Sequence, residues 1–448
     1  MTQQLLFLEL NEVNFENVAF YSRLGFLPTL GELIEQNGWA TTTSEERYEE
    51  IEPWIQWVTA HTGLSLAEHG VFRLGDIVDH DIPQIWERLE ELGLSVGAIS
   101  PMNAKHRLRN PAFFIPDPWT STKLTASPVL CRLHAAISRA VNDNAQARVS
   151  IATLWNLLQG MLVYARTSNL AWYARLAATG LRFPWRRAIL LDLLLSDVFI
   201  KETTRAQPHF VSLFLNAAAH IQHHYMCSAA CYPGAQRNPE WYVPPGCDPL
   251  KEVYIAYDRI LRAVREAFPT ARVMIATGLH QEPHERVTFY WRLRRHADFL
   301  KRIRVPFVRV EPRMSRDFLV VCSTEAEAKE AERRLSAAVA SDGIPLFEVD
   351  NRGASLFVML TYPREIARGF AFTIGSESYA DFDKEVVFVA IKNGQHNGVG
   401  YFLDTGSDFR GKNCRFPLKE MPQRIMHALG VRSVPDDATL SKPHLDVA

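Results

Sequence analysis

The chain has few cysteines, no excess of either charge and no long apolar run. Only 6 of its 448 residues are cysteine, so we expect free thiols and not a disulfide framework. The formal net charge is −1, which leaves no basic footprint for nucleic acid, and we expect no such partner. What remains is the ordinary composition of a globular protein, with 47% hydrophobic and 22% charged residues.

Membrane-spanning and export signals are also missing from the sequence. The longest apolar-leaning run without charge covers residues 149–165, and it contains Asn156, Gln159 and Gly160. That run is shorter than a usual span, so we expect no integral membrane segment. The first residues lack the basic region of a secretory signal, and we therefore expect a cytoplasmic protein. A peripheral membrane contact through the Trp- and Arg-rich residues 155–187 stays open, as does a homo-oligomer.

Strand-like and helix-like patterns alternate along much of the chain. Short apolar runs at residues 5–10, 95–100, 210–215, 271–276 and 385–391 predict strands. Helical spacing predicts helices over residues 18–36, 82–92 and 254–268. This rhythm predicts an α/β fold: a doubly wound, mostly parallel sheet with helices on both faces.

Changes in composition divide the chain into three parts. We predict that the α/β core comprises residues 1–110, 205–284 and 365–448. Residues 111–204, rich in proline and then in alanine, leucine and tryptophan, predict a mainly helical insert. Residues 285–364 predict a small α+β cap, with a strand at 317–322, a helix at 324–340 and a hairpin around 350–353.

Polar clusters follow several of the predicted strands. Three histidines lie within five positions just after the strand at 210–215, and other clusters hold carboxylates or single histidines. Ligands and metals gather at the carboxyl ends of parallel strands, where imidazoles and carboxylates can bind a metal or exchange protons. The candidate residues are Glu9, Asn11, Glu12, Glu52, Gln56, His220, His223, His224, His280 and His396.

Three of these segments resemble one known family. Residues 59–71 (TAHTGLSLAEHGV) resemble the TGL…HG signature of the alkaline phosphatase superfamily, in its phosphodiesterase/nucleotide pyrophosphatase branch. Residues 215–223 (LNAAAHIQH) are similar to the N-x-x-D-x-x-G-H segment of that branch, and residues 394–398 (GQHNG) to its late G-x-H-G segment. The resemblance spans about residues 5–110, 208–282 and 385–430.

The resemblance implies an alkaline phosphatase-like, doubly wound α/β sheet. It also implies one or two divalent metals, typically zinc, and a Ser or Thr nucleophile that hydrolyses a phosphate or sulfate ester. On this basis His223 and His396 match metal ligands, and the first acidic ligand is Glu9, Asn11 or Glu12. The chain also departs from the family pattern. No Ser, Thr or Cys stands at residues 52–54, Ala219 replaces an expected aspartate, and residues 278–280 lack the expected Asp-His pair.

We therefore expect a hydrolase or group transferase acting on a small-molecule or glycan-linked phosphate or sulfate ester. Glu52 would act as base or nucleophile, with a raised pKa if it is buried against nearby tryptophans, and Gln56 would orient the substrate. The catalytic set would be completed by His220, His224 and His280, with Glu9, Asn11, Glu12, His223 and His396 available to the metal.

Two other functions stay open at this stage. One is a member of the family that binds a ligand without catalysis, because the nucleophile and one aspartate are missing. The other is a metal-free acid–base enzyme of glycosidase type, in which Glu52 works with Glu9 or Glu12. Such an enzyme needs the two carboxyl groups roughly 5–10 Å apart across one pocket.

Overall fold

The structure is a computed structural model that describes residues 3–142, 151–313 and 316–431. Parts of the predicted core, insert and cap, at residues 1–2, 143–150, 314–315 and 432–448, lie outside the described residues. The first two residues of the apolar run at 149–165 lie outside them as well.

The described residues form strands along most of the chain. In chain order they are β1 (Leu5–Leu10), β2 (Ala40–Thr43), β3 (Val96–Ile99), β4 (Phe113–Ile115), β5 (Phe210–Leu215), β6 (Arg272–Ala276), β7 (His280–Leu293), β8 (Arg309–Pro312), β9 (Asp317–Val321), β10 (Ala338–Ala340), β11 (Phe347–Asn351), β12 (Ser355–Leu360), β13 (Phe372–Ile374), β14 (Glu377–Tyr379), β15 (Val386–Asn397), β16 (Val399–Asp404) and β17 (Arg415–Pro417).

Helices occupy most of the intervals between the strands. In chain order they are α1 (Phe15–Arg23), α2 (Pro28–Asn37), α3 (Pro53–Thr62), α4 (Leu66–His69), α5 (Ile85–Glu91), α6 (Pro128–Asn142), α7 (Ile151–Tyr164), α8 (Leu170–Thr179), α9 (Trp185–Ala206), α10 (Ala217–Tyr225), α11 (Pro249–Ala267), α12 (His296–Arg302), α13 (Glu325–Ser336), α14 (Phe382–Glu385) and α15 (Met421–Ala428).

Eight strands form the main sheet, in the order β17-β2-β16-β6-β1-β5-β3-β4. β1 runs parallel to β5 and β6, and β3 runs parallel to β5 and β4. β16 is antiparallel to both of its neighbours, β6 and β2. The predicted doubly wound, mostly parallel sheet is confirmed. The continuous apolar runs of β1 and β5 are explained by burial on both faces.

Helices cover both faces of this sheet, and alternate residues of β1 point into opposite layers. Leu6 and Leu8 pack in the apolar cluster that includes α9, α10 and α11. Leu5 and Phe7 pack in the other cluster, against Trp57 of α3 and Trp86 of α5. Because side chains alternate along a strand, Glu9 shares the face of Leu5 and Phe7. This alternation places Glu9 against α3, away from α10.

A second apolar cluster belongs to the later part of the chain. It comprises residues between Phe289 and Ile391, packed around the antiparallel sheet β11-β12-β9-β8 and helices α12 and α13. The predicted hairpin is the β11–β12 pair. A long antiparallel ribbon of β7 and β15 joins this unit to the main sheet. The cluster reaches past the predicted cap boundary at residue 364, and the domain limits stay a prediction.

The largest differences from the predicted elements affect two segments. The predicted helix at 18–36 is wrong as a single element, because Gly25 has a left-handed φ of 79° and Pro28 starts a new helix. β15 continues to Asn397, so His396 lies within a strand and not in the loop after it. Its partner β7 was not predicted, since a sequence rich in His, Glu and Arg has no strand-like alternation.

The predicted helical insert contains α6 to α9 among its described residues. No helix in the described part of the chain has both the length and the apolarity needed to cross a bilayer. All six cysteines are unpaired thiols, as expected from their number.

Candidate metal centre

Glu12 follows β1 in an unusual backbone conformation. Its φ is 60°, a left-handed value that costs a non-glycine residue roughly 1–2 kcal/mol. Two hydrogen bonds hold it there: its N–H donates to the Thr277 carbonyl at 3.0 Å, and its carbonyl accepts from Gln222 Nε2 at 2.7 Å. Backbone strain that is held in this way is typical of functional sites.

His223 comes from α10, the helix that directly follows β5. Since β1 and β5 are parallel neighbours, their carboxyl ends meet at the same edge of the sheet. Asn11 joins the two ends, because its Nδ2 donates to Asn216 Oδ1 at 2.8 Å. The topology thus brings Glu12 and His223 together over a sequence separation of more than 200 residues.

His396 reaches the same point from β15 and completes a triangle of three ligand atoms. His396 Nε2 lies 3.2 Å from His223 Nε2 and 3.3 Å from Glu12 Oε2. His223 Nε2 lies 3.2 Å from the same Glu12 oxygen. Among the described residues this is the one group of three His, Cys, Asp or Glu side chains close enough to share a metal ion.

The dimensions of this triangle fit one zinc ion. Zn–N and Zn–O bonds of about 2.0–2.1 Å at tetrahedral angles separate neighbouring ligand atoms by about 3.3 Å. The three edges of 3.2, 3.3 and 3.2 Å match that separation. Two imidazoles and one carboxylate are also a ligand set of catalytic zinc sites, which leave a fourth position open. The residues present therefore fit a single divalent transition metal.

Surrounding groups hold the ligands in an orientation suited to a metal. His396 Nδ1 lies 3.5 Å from Glu52 Oε2, and the backbone of Ile51 hydrogen-bonds the same ring. A proton kept on Nδ1 by these acceptors leaves the lone pair of Nε2 free for a metal. The Glu12 carboxylate accepts from Asn11 Nδ2 at 3.1 Å on Oε1 and from Gln281 Nε2 on Oε2.

Charges in the site shift the pKa of three groups. Burial raises the pKa of Glu12, but the imidazoles of His396 and His223 outweigh it and hold that pKa well below its usual range. Burial opposes protonation of His396, yet the Glu12 and Glu52 carboxylates raise its pKa. Burial, reinforced by the charge of Glu12, raises the pKa of Glu52 to about 7. An anionic Glu12 is the form that a metal ion requires.

The triangle is open to solvent on one side. The Glu12 side chain is 2% exposed, whereas those of His223 and Glu52 are 30% and 31% exposed. Lys392 is close enough to Glu52 for each to shift the pKa of the other. Burial, together with the charge of Arg316, lowers the pKa of Lys392. The exposed carboxylate of Glu52 is therefore accompanied by the cation of Lys392.

Two of the predicted acidic or amide ligands lie elsewhere. Glu9 points into the layer of α3, where its Oε2 contacts His61 Nε2 at 3.1 Å and both side chains are fully buried. Asn11 Oδ1 accepts from Trp57 Nε1 at 2.7 Å, and its Nδ2 is shared between Asn216 and Glu12. The alternation of side chains along β1 turns Glu9 away from the triangle. Asn11 does not join the triangle either, but its amide donates a hydrogen bond to the Glu12 carboxylate.

The predicted catalytic residues are only partly brought together. Glu52 lies beside His396, as described. Gln56 is fully buried and donates to the Glu50 carbonyl at 2.9 Å, so it does not face the open side. His280 is turned away, with Nδ1 on the Val399 carbonyl. His220 and His224 pack against each other on α10, with ring centres 4.9 Å apart, and neither joins the triangle.

Gln281 is the site residue that the sequence did not single out. Its Nε2 donates both to Glu12 Oε2 and, at 3.0 Å, to the carbonyl of Ala219, the residue that replaces the expected aspartate. An amide N–H cannot bind a metal, so Gln281 occupies this side of Glu12 as a hydrogen-bond donor. Gln281 lies beside the triangle because it is paired with His396 across the strands β7 and β15.

The chain resembles known proteins in its structure but matches none of the compared families or curated proteins in its sequence. No family model matches the chain, and no curated protein matches it by sequence. Phosphonoacetate hydrolase from Sinorhizobium meliloti 1021, in complex with phosphonoacetate, has 11% identity and a TM-score of 0.43, with 96% of each chain covered. Human ectonucleotide pyrophosphatase/phosphodiesterase 5 has 11% identity and a TM-score of 0.41, covering 97% of this chain and 96% of its own.

The murine form of the second protein, in complex with AMP, gives a TM-score of 0.42 at 11% identity, with 97% of this chain and 96% of its own covered. Likenesses this distant carry no argument about the site, which rests on the residues of this chain. The proteins matched over almost the whole chain belong to the alkaline phosphatase superfamily, the family that the three motifs resemble.

Proposed function

We propose that this chain is a metal-dependent hydrolase of phosphate or sulfate esters with a single divalent cation, zinc or a similar ion. Glu12, His223 and His396 would hold the cation. The observation that carries the proposal is the triangle of their three ligand atoms, with edges of 3.2–3.3 Å at the carboxyl edge of the sheet. Three distant segments supply these atoms, and a chance cluster of surface charges would not need a strained Glu12.

One cation is favoured over two by the groups around Glu12. A second site on the other side of that carboxylate would need anionic ligands there. Ala219 has no ligand atom in its side chain, and the Gln281 amide already donates to both Glu12 and the Ala219 carbonyl. The amide N–H of Gln281 on this side of Glu12 repels a cation, so we expect one bound ion and not two.

Each residue near the triangle has a separate task in the proposed reaction. When bound, the cation would polarise an ester oxygen and lower the pKa of an attacking water. Glu52 and Ile51 hold His396 in the tautomer that binds metal. Asn11 and Gln281 fix the Glu12 carboxylate, and Gln222 fixes its backbone. These contacts keep the ligands in place without rearrangement during the reaction.

The proposed substrate is an anion, small or linked to a glycan. Lys392 contributes positive charge beside the exposed Glu52, and Arg316 acts electrostatically on Lys392. The guanidinium of Arg316 lies 4.3 Å from the centre of the Tyr290 ring, which limits its freedom. Positive groups beside a metal attract phosphate or sulfate and lower the energy of its developing charge.

The metal-free glycosidase alternative has less support from the geometry. Glu9 is fully buried against His61, and Glu12 is 2% exposed with both carboxylate oxygens in contact with other groups. Both carboxyl groups are therefore shielded from solvent, whereas an acid–base partner of Glu52 would have to reach the substrate. The ligand-binding alternative is separated from the enzyme by experiment.

The test measures metal content and ester hydrolysis together. The purified full chain is loaded with zinc or manganese, dialysed and analysed by elemental mass spectrometry. His223→Ala and His396→Ala are measured in parallel, with His280→Ala as a matched control, since His280 contacts Val399 and not the triangle. Activity is assayed with p-nitrophenyl phosphate, bis-p-nitrophenyl phosphate and p-nitrophenyl sulfate.

We expect one metal per chain in the unmodified protein and in His280→Ala, and none in the other two variants. At least one ester should be hydrolysed only by the metal-loaded proteins. Stoichiometric metal without hydrolysis of any ester would favour the ligand-binding alternative. An unmodified chain that retains no metal would overturn the proposal.

A further inference from the structure

Helix α7 has an apolar surface on the side that faces away from the protein. None of its 14 residues, Ile151–Tyr164, is charged. The opposite side packs against the protein. Gly160 approaches α6 so closely that a Cβ added there would lie 2.5 Å from the Leu133 side chain. The Tyr164 hydroxyl donates to Glu202 of α9 at 3.1 Å. The helix therefore lies flat on the molecule, held by one face.

The outward face carries large apolar side chains at helical spacing. Leu154, Trp155, Leu158 and Leu162 are all exposed, and Trp155 and Leu162 reach 57% and 77%. A surface helix of a globular protein normally places charged residues on this face, and an all-apolar helix normally lies in a core or in lipid. Single exposed leucines are ordinary, but a row of them on one helix marks an interaction surface.

The charge of this part of the chain limits which partner can bind the exposed apolar side chains of α7. Residues 151–191 contain five arginines and no aspartate or glutamate, whereas the whole chain has a net charge of −1. The rest of the chain thus carries −6. Arg175 and Arg182 are exposed, and neither takes part in a salt bridge among the described residues. A second copy docked face to face would bring like charges together, which is unfavourable.

We propose that the α7 face docks on an anionic phospholipid bilayer. Leucine and tryptophan side chains of α7 would enter the headgroup region, and the arginines around α8 would pair with lipid phosphates. Helices with an apolar face bind in the plane of the interface, where tryptophan is favoured. Each basic residue near an anionic leaflet strengthens this binding. The exposed Leu181, at 84%, lies two residues after α8 and extends the apolar area.

The test is sedimentation of the full chain with two kinds of vesicle: phosphatidylcholine alone, and phosphatidylcholine mixed with phosphatidylglycerol. We compare Leu162→Glu with Val308→Glu, a matched control at another exposed residue, outside the α7 face. Both positions are exposed, so neither change should prevent folding, which circular dichroism checks. A third variant, Arg175→Glu with Arg182→Glu, tests the charge.

We expect binding to the mixed vesicles, weakened by salt, and little binding to phosphatidylcholine alone. Leu162→Glu and the double arginine variant should each lower the partition coefficient about ten-fold or more, and Val308→Glu should leave it unchanged. Absence of binding to the mixed vesicles would overturn the proposal. So would a dimer in solution that Leu162→Glu dissociates, since the face would then be covered by a second copy.

Discussion

At the scale of single residues, two glutamates three positions apart have opposite environments. Glu9 lies in β1 and Glu12 lies two residues after it, yet Glu9 contacts His61 in the layer of α3 and Glu12 contacts His223 and His396. The sequence left both open as ligands. The alternation of side chains along β1 and the left-handed turn at Glu12 separate them.

The first prediction compares these two glutamates. Glu12→Gln should lower zinc affinity at least about 100-fold, because a neutral amide replaces the one anionic ligand of the triangle. Glu9→Gln should leave the affinity nearly unchanged, since its carboxylate lies apart from the triangle. Zinc affinity is measured by competition with a chromophoric chelator. Equal losses in both variants would show that the effect reflects general unfolding and not a lost ligand.

The second prediction concerns substrate charge. Lys392→Ala should raise KM for an anionic aryl ester about 5–10-fold and change kcat much less, because Lys392 adds positive charge beside Glu52 without touching the triangle. Lys384→Ala is the control, since that exposed lysine, two residues before β15, pairs with Asp381. Steady-state kinetics at two salt concentrations measure both constants. A fall in kcat with unchanged KM would contradict this assignment.

At the scale of elements, the ribbon of β7 and β15 joins the main sheet to the apolar cluster of residues 289–391, and it contributes residues to the candidate site. Pairing of Gln281 with His396 across the ribbon places an amide donor and a candidate metal ligand side by side. Gly394 lies two residues before His396, at a position where any side chain would collide with Gln281 and with the backbone of Gln222. A Cβ there would lie 2.0 Å from Gln281 Oε1 and 2.8 Å from the Gln222 carbonyl.

The third prediction follows from this close approach. Gly394→Ala should destabilise the protein by about 1–3 kcal/mol and weaken zinc binding about ten-fold, because Gln281 must move away from Glu12. Val389→Ala, an exposed position of the same strand, should change neither quantity. Thermal unfolding and chelator competition are the measurements. Unchanged zinc affinity in Gly394→Ala would mean that Gln281 does not support the ligand.

At the scale of the whole molecule, two buried histidines link stability to pH. His69 Nδ1 accepts from the Val71 N–H at 3.0 Å, and His106 Nδ1 accepts from the Leu108 N–H at 3.2 Å. Both rings are therefore neutral in the folded protein. Burial, with some repulsion from His80, lowers the pKa of His69 to about 4, and burial with Lys123 lowers that of His106 to about 4.

The fourth prediction is a loss of stability in mild acid. In the unfolded chain both histidines take up a proton near pH 6.5, whereas the folded rings resist it until about pH 4. These two rings should therefore destabilise the fold increasingly as pH decreases from 6.5 to 4, by up to about 3 kcal/mol for each ring, and have no such effect above about pH 7. Urea unfolding across this range measures it. His106→Gln should make the decline shallower; an unchanged slope would contradict the role of His106.

Much of the fold follows from local pattern. The strands at Leu5–Leu10 and Phe210–Leu215 match their predicted bounds, because continuous apolar runs of that length fit strands buried on both faces. The position of β7 could not be predicted in the same way. Its sequence is polar, and it becomes a strand only because β15 pairs with it along its length.

The sequence by itself determined the α/β architecture, because apolar runs are local features, and its resemblance to a known family singled out His223 and His396 as candidate ligands. Only the tertiary structure decided which acidic residue joins them, that Gln281 supports it, and that Glu9, Gln56 and His280 lie apart. These outcomes depend on strand register and on one left-handed residue, which together fix where each side chain points, and neither is encoded within a short stretch of chain.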